Sequence, residues 1–398
     1  MGLINKKIIA VLCVVAGLSA CSSTEEDESL RVADLPEIKS AFQPKILWHR
    51  SLDGSDKYFS RIKPYIAYDK VFTASRIGEA AAFDQSTGKE IWAVDLSDID
   101  GKRGFFESKQ SALLNGGPIA GGKKAFYGSE NGILYALDAE TGAFIWKATV
   151  KGEIIAAPAY ENNIVVVNTA SGILKAFDAN TGATLWEVDQ EVPPLTLRGT
   201  SAPTMASGGV ILGTSSGMLS VYLLEKGQPG WTAEVGEPSG STELERVIDV
   251  DSKPVVVLDK VYAISARGNL VAIELRSGRV LWQRQYSSYR QISVDGNMIY
   301  LTDVKGHVYA VERLNGTEQW SQVALTNRGV TGPAVIDDYV VVGDFEGYLH
   351  WLDKTTGKLV SQYRLDSSGV YTTPTVADSV IYVQSRDGDL EAIQTPKK

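Results

Sequence analysis

From about residue 44 onward, apolar and polar residues alternate with a period of two, and no stretch carries a sustained helical period. The pattern predicts short strands throughout. Its clearest instance is Gly132 to Trp146, in which Ile133 to Leu137 form one strand, Asp138 to Gly142 a polar turn, and the residues up to Trp146 a second strand. Side chains of the Asp and Thr types hydrogen-bond a turn backbone, and Gly142 supplies the positive φ that a tight hairpin with a bulge needs. Trp146 then offers a large flat surface. A lone hairpin cannot bury it, so the unit requires neighbours.

Variants of the unit recur at a strict interval. Pro64 to Trp92, Pro118 to Trp146, Pro158 to Trp186, Pro203 to Trp231 and Pro254 to Trp282 are each 28 positions apart. Ile292 and Trp320 keep the interval without the Pro, and Pro333 to Ser361 keeps it without the Trp. Pro374 begins one more unit that the chain is too short to finish. Each unit has room for four strands, as at 118–120, 123–127, 133–138 and 143–149. Repeats of roughly 40 to 45 residues with four strands predict a β-propeller, so the expected fold is all-β with eight four-stranded blades. Ile46-Leu47-Trp48 has no upstream partner and matches Phe144-Ile145-Trp146. This N-terminal strand is expected to complete the last blade and close the ring, removing exposed edges. The fourth unit is degenerate at Glu225 to Gly230, and the seventh has Val360-Ser361 where Ile-Trp is usual.

Because the interval within a unit is fixed, length variation falls in the connections between blades. The longer ones, 93–117, 187–202 and 232–253, share one face, which marks a candidate binding surface. In the second, the Pro193-Pro194 pair excludes helix and an extended segment places Leu195 and Leu197 on one side, with Arg198 beside them. They read either as a small recognition patch or as local core under the loop. In the third, Asp249 and Asp251 precede Pro254, and an extended backbone puts both carboxylates on one side. An EF-hand is excluded by Lys253 and Pro254, which leaves turn stabilisation or attraction of a basic partner.

The N-terminus sets the compartment. Lys6 and Lys7, an apolar run from Ile8 to Val15, and Leu18-Ser19-Ala20-Cys21 form an export signal. The last four residues resemble a bacterial lipobox, which implies a signal peptide over 1–20, acylation of Cys21, and, with Ser22 following, sorting to the outer membrane. Residues 21–43 are polar and acidic at Glu25 to Glu28 and are expected to be a flexible tether, with 44–398 as a single propeller domain. Cys13 leaves with the signal, so no disulfide is available. The net charge of −9 becomes more negative when Lys6 and Lys7 are removed, and no basic stripe offsets it, which argues against nucleic acid.

Catalytic signals are weak. Gly213-Thr-Ser215-Ser-Gly217 has the nucleophile-elbow spacing but falls in a hairpin between blade strands. Gly117 to Lys123 approximates a phosphate loop, yet Lys124 stands where Ser or Thr must hold the metal. His49, His307 and His350 lie in different blades without metal-ligand spacing. No catalytic residue, cofactor or metal is expected.

The motif Ala136-Leu-Asp-x-x-Thr-Gly-x-x-x-Trp146 resembles the docking repeat of eight-bladed quinoprotein (PQQ-type) dehydrogenases. That resemblance implies an enzyme alternative, but the adjacent-cysteine disulfide of that family has no counterpart here. The whole chain more closely resembles the BamB family, propeller lipoproteins of the machinery that inserts β-barrels into the Gram-negative outer membrane. The resemblance rests on the lipobox, Leu195 to Pro203, Gly240-Ser-Thr-Glu243, Asp249-Val-Asp251 and Gly347 to Trp351. It implies a non-catalytic scaffold on the periplasmic face of the outer membrane that binds POTRA domains of the barrel subunit BamA through Leu195, Leu197, Arg198, Asp249 and Asp251. Thr196 between the leucines is a small departure. Contact with nascent outer-membrane proteins is an open extension.

Overall fold

The computed structural model describes residues 30–53, 60–99, 110–238, 240–242 and 245–397. Among them, strands β1 to β32, numbered in chain order, form eight antiparallel four-stranded sheets. Seven of these sheets are consecutive up-and-down blades. The eighth has the order β1-β32-β31-β30. In it, β1 (Lys45–Ser51) pairs with β32 (Asp389–Gln394), and Trp48 stands opposite Ala392. The N-terminal strand therefore closes the ring as the sequence predicted. In the second blade, the strands run Leu114–Gly121, Lys124–Ser129, Ile133–Asp138 and Phe144–Thr149. The innermost is the most extended relative to the expected 118–120, and the others match within two residues.

The tryptophan spacing has a direct structural cause. Each indole reaches out of its own blade into the hairpin turn of the next, where its Nε1 donates to a backbone carbonyl: Trp92 to Ala139 at 3.1 Å, Trp146 to Ala179 at 2.9 Å, Trp186 to Leu224 at 2.8 Å. Trp231, Trp282 and Trp320 repeat the bond, and Trp48 donates to Gln85 across the closure. The ring also lies on a turn glycine of the neighbour. At Gly182, φ is +71° and a Cβ would fall 2.7 Å from Trp146. Gly serves there twice, for the left-handed turn and for the close approach. Between the sheets, Phe126, Trp146 and Phe177 pack with centroids 5.9 and 6.5 Å apart. Strand 4 must thus hold a fixed register to the blade before it and the turn after it, which fixes the interval.

The seventh blade solves the missing tryptophan by exchange. In the regular blades an Ala on the third strand faces the Trp, as Ala136 faces Trp146. Here Trp351 occupies the third strand (Tyr348–Asp353) and faces Ser361 on the fourth (Leu359–Arg364). Trp351 is fully buried and donates to Thr395 Oγ1 at 3.0 Å, the residue at the acceptor position of the eighth blade. The volume left at Ser361 is taken by Phe42, whose ring lies 6.1 Å from Trp351 and 5.1 Å from Tyr339. Ser361 Oγ donates to the Phe42 carbonyl at 2.8 Å.

That contact corrects the expected tether. A flexible segment was predicted as far as residue 43, yet the chain from Ala33 is laid along the seventh blade. Ala33 N donates to Thr326 O and Ala41 N to Val360 O, at 2.9 and 2.7 Å, while Gln362 Nε2 and Arg328 Nη1 donate to the carbonyls of Pro36 and Ala33. Arg328 is itself held by Asp344 at 2.8 Å, and Asp344 also bonds His350 at 3.0 Å. All three side chains are buried. A polar composition suggested disorder, but backbone groups and one aromatic ring suffice to dock the segment.

Candidate interaction face

In an up-and-down blade the turns alternate between two faces, so connections between blades share one face with the turns joining second and third strands. The 190–203 connection leaves the third blade after Thr184–Asp189 and enters the fourth at Thr204–Ala206. Its chain bends at Pro194, Leu195 and Arg198, so the straight extended segment expected from the sequence is not formed. Leu195 is 44% exposed, Thr196 and Leu197 are half-buried, and Arg198 is exposed. Leu195 and Leu197 thus differ in exposure. The first is presented to solvent and the second partly tucked under the loop.

The acidic pair lies beneath this loop. Val247, Ile248 and Val250 anchor the 235–254 connection in the core, and Asp249 and Asp251 are buried with them. One Asp249 oxygen, Oδ2, accepts a hydrogen bond from the Leu197 amide. Asp251 fills the space beside Gly199, where a Cβ would overlap its carboxylate. Both acids therefore act from inside the protein, fixing the backbone of Leu197 to Gly199. Of the two readings the sequence left open, turn stabilisation or attraction of a basic partner, their burial fits the first.

Arg198 is braced from the side. Its Nη2 donates to Glu130 Oε2 at 2.9 Å, and Glu153 lies 3.5 Å from its Nε. Glu130 also accepts from Arg76, through Nε at 3.0 Å and Nη2 at 2.9 Å, and from Asn115 Nδ2 at 2.9 Å. Arg61 Nη2 donates to the Arg198 carbonyl at 2.7 Å. Groups from the first two blades and the connection that leaves the second therefore converge around one loop residue. Sequence reading missed Glu130, Arg76 and Arg61. The one available signal was that Arg76 and Glu130 occupy equivalent turns of adjacent units.

Burial sets the electrostatics. It pushes the Asp249 carboxyl up to about 6, partly opposed by the Leu197 amide. Asp251 rises further, to about 7, through burial, with Arg61 opposing and Asp249 adding. Burial also works against the Glu130 charge, but Arg76 and Arg198 more than offset it and hold that carboxyl below its ordinary range. The loop thus rests on two carboxyls that titrate near neutrality and one that stays ionised.

Inside the ring lies a cavity of about 370 Å³, lined in part by Arg61, Lys63, Asp251, Lys253 and Arg290. Gly213 to Gly217 forms the turn between strands 209–213 and 218–223, an ordinary blade hairpin. Among the described residues no group of three or more His, Cys, Asp or Glu is arranged to hold a metal. Cys21 and Glu243 lie outside the described residues, as do 100–109 of the 93–117 connection.

Comparison with known proteins places this geometry. The family model described as "Outer membrane protein assembly factor BamB" matches residues 76–322 and 304–396. Curated relatives of that name are 40% identical in Shewanella oneidensis and 39% in Escherichia coli K12, each over 98% of this chain and 99% of the relative. The chain belongs to the BamB family. The crystal structure of BamB from Moraxella catarrhalis superposes with a TM-score of 0.78 at 28% identity, covering 89% of this chain and all of that one. Quinohemoprotein alcohol dehydrogenase from Comamonas testosteroni reaches 0.68 at 13% identity over 89% of this chain and 77% of its own. That second likeness is one of fold alone, so the motif shared with quinoproteins reflects blade packing common to both BamB and those enzymes.

Proposed function

We propose that this BamB-family chain is a non-catalytic scaffold in outer-membrane protein assembly, lipid-anchored through Cys21 on the periplasmic face, with residues 22–32 as the spacer. It docks a POTRA domain of a BamA-type barrel subunit on the face carrying the 190–203 connection. Leu195 supplies the apolar contact and Arg198 the charge, with Leu197 between them. Asp249 and Asp251 serve the same contact from beneath, by holding the loop in shape.

The observation that carries this reading is the support given to an exposed loop. A solvent-facing leucine and arginine on a segment without regular structure are pinned by a buried carboxylate, a second buried carboxylate against Gly199, and Glu130. Pre-organised apolar and Arg groups in a polar rim are the usual anchors of a protein interface, because little conformational entropy remains to be lost on binding. The family membership supports the coarser part of this reading, a place in outer-membrane protein assembly. Co-purification of the barrel subunit from cells carrying Leu195→Glu or Arg198→Glu tests it. Recovery should fall sharply with the chain still folded and exported; unchanged recovery would remove the site assignment.

A further inference from the structure

The central cavity opens among cations. The inner strands of the first and fifth blades begin two residues after Lys63 and Lys253, which line the cavity and which an eight-membered ring sets opposite one another. Arg61 and Arg290 enter from flanking positions. Lys63 Nζ crosses to Gln291 Oε1 of the sixth blade at 2.8 Å, and the Arg290 guanidinium lies 4.7 Å from the centre of the Tyr289 ring. These contacts hold the two side chains in place without neutralising them.

Acid is scarce in the cavity. Among the described residues Asp251 is its one carboxylate, so with all groups ionised this lining carries an excess of positive charge. Among the described residues neither Lys253 nor Arg290 has an acidic partner. Ser252, on the same wall, has a buried hydroxyl with no hydrogen-bond partner. Cations of like sign held together away from bulk water raise the energy of the site, and burial with Lys253 nearby lowers the Lys63 ammonium to about 8. An anion would relieve that repulsion.

We propose that the central cavity binds a compact multivalent anion, one bearing a phosphate-type group or several clustered carboxylates, between Lys63, Lys253, Arg61 and Arg290. The volume falls within the range of small-ligand sites. The charge contrast is selective, since the chain as a whole carries −9 and repels anions elsewhere. Charged donors fixed before binding lose little entropy when the anion arrives.

The test is isothermal titration of the full mature chain with pyrophosphate and, separately, with citrate, at pH 7, where Lys63 is mostly charged, and low salt. At least one anion should bind, and Lys253→Gln and Arg290→Gln should each weaken it by roughly tenfold, the scale of one charged hydrogen bond. Asp251→Asn should tighten it, because it removes a negative charge from the cavity lining while keeping the shape. A misfolded variant could not give that gain. Binding of pyrophosphate alone would identify a phosphate-type ligand, and binding of both would show that charge number suffices. No binding up to about 10 mM of either anion, or affinities unchanged by all three substitutions, would overturn the proposal.

Discussion

Replacing Asp249 separates two roles that one carboxylate combines. The group is 1% exposed, and burial moves its carboxyl from the ordinary 3.8 to about 6. At pH 8 it is ionised in both folded and unfolded chains, so the shift of about two units corresponds to about 3 kcal/mol of destabilisation by the buried charge. The folded state binds the proton more tightly. Stability from this group is therefore greatest below about pH 4, falls as pH rises to about 6, and is level above that. Asp249→Asn keeps an oxygen for the Leu197 amide and removes the charge. It should raise stability by up to about 3 kcal/mol at pH 8, with the gain fading to nothing near pH 4. Asp249→Ala removes the charge but also the acceptor, a bond of about 1.5 to 3 kcal/mol, so its net stability change at pH 8 should be small. The partner affinity should distinguish them: Asn near wild type, Ala about tenfold weaker because Leu197 loses its fixed backbone. Urea melts at pH 4, 6 and 8, with POTRA-domain titration of each variant, read both effects. An Asn gain that does not depend on pH would mean that the Asp249 charge is not what burial penalises, and equal affinity for Asn and Ala would mean that its oxygen does not hold Leu197 for the partner.

Other consequences follow from the packing. Gly182→Ala should destabilise the chain by about 1 to 3 kcal/mol, since the methyl meets Trp146 at 2.7 Å in a left-handed turn, and a loss below about 0.5 kcal/mol in denaturant melts would contradict the inter-blade clasp. Phe42→Ala should cost about 1 to 3 kcal/mol by uncovering Trp351 and Tyr339, and should raise proteolysis ahead of Lys45; an unchanged cleavage rate would mean the segment does not dock. Arg198→Glu puts an acid beside Glu130 and Glu153, yet exposure should limit the stability change to about 1 kcal/mol, so that any loss of partner binding reads as a loss of contact.

What the sequence made legible was whatever repeats. The interval from Pro118 to Trp146 reports a register that every blade must satisfy, and the unpartnered Trp48 reports closure, so both could be read without coordinates. The exceptions were harder. Trp351 opposite Ser361 is an exchange across a strand pair, visible only once the register is known, and Phe42 reaches that pair from over three hundred residues away in sequence. For Asp249 and Asp251 the sequence could not choose between turn stabilisation and contact with a basic partner, because alternation gives the side a residue faces and not the depth of the loop above it. The cations of the cavity come from the first, fifth and sixth blades. Only Lys63-Pro64 and Lys253-Pro254, at equivalent positions of two units, hinted that they would meet.

The most direct measurement is the affinity of the purified mature chain for the isolated POTRA array of its barrel subunit, comparing wild type with Leu195→Glu and with a charge change on the opposite face, Lys226→Glu. Leu195→Glu should lose at least about a hundredfold in affinity, the cost of burying a charge in an apolar contact, and Lys226→Glu should change it no more than about twofold. Equal affinities for wild type and Leu195→Glu, with identical melting temperatures, would contradict that contact.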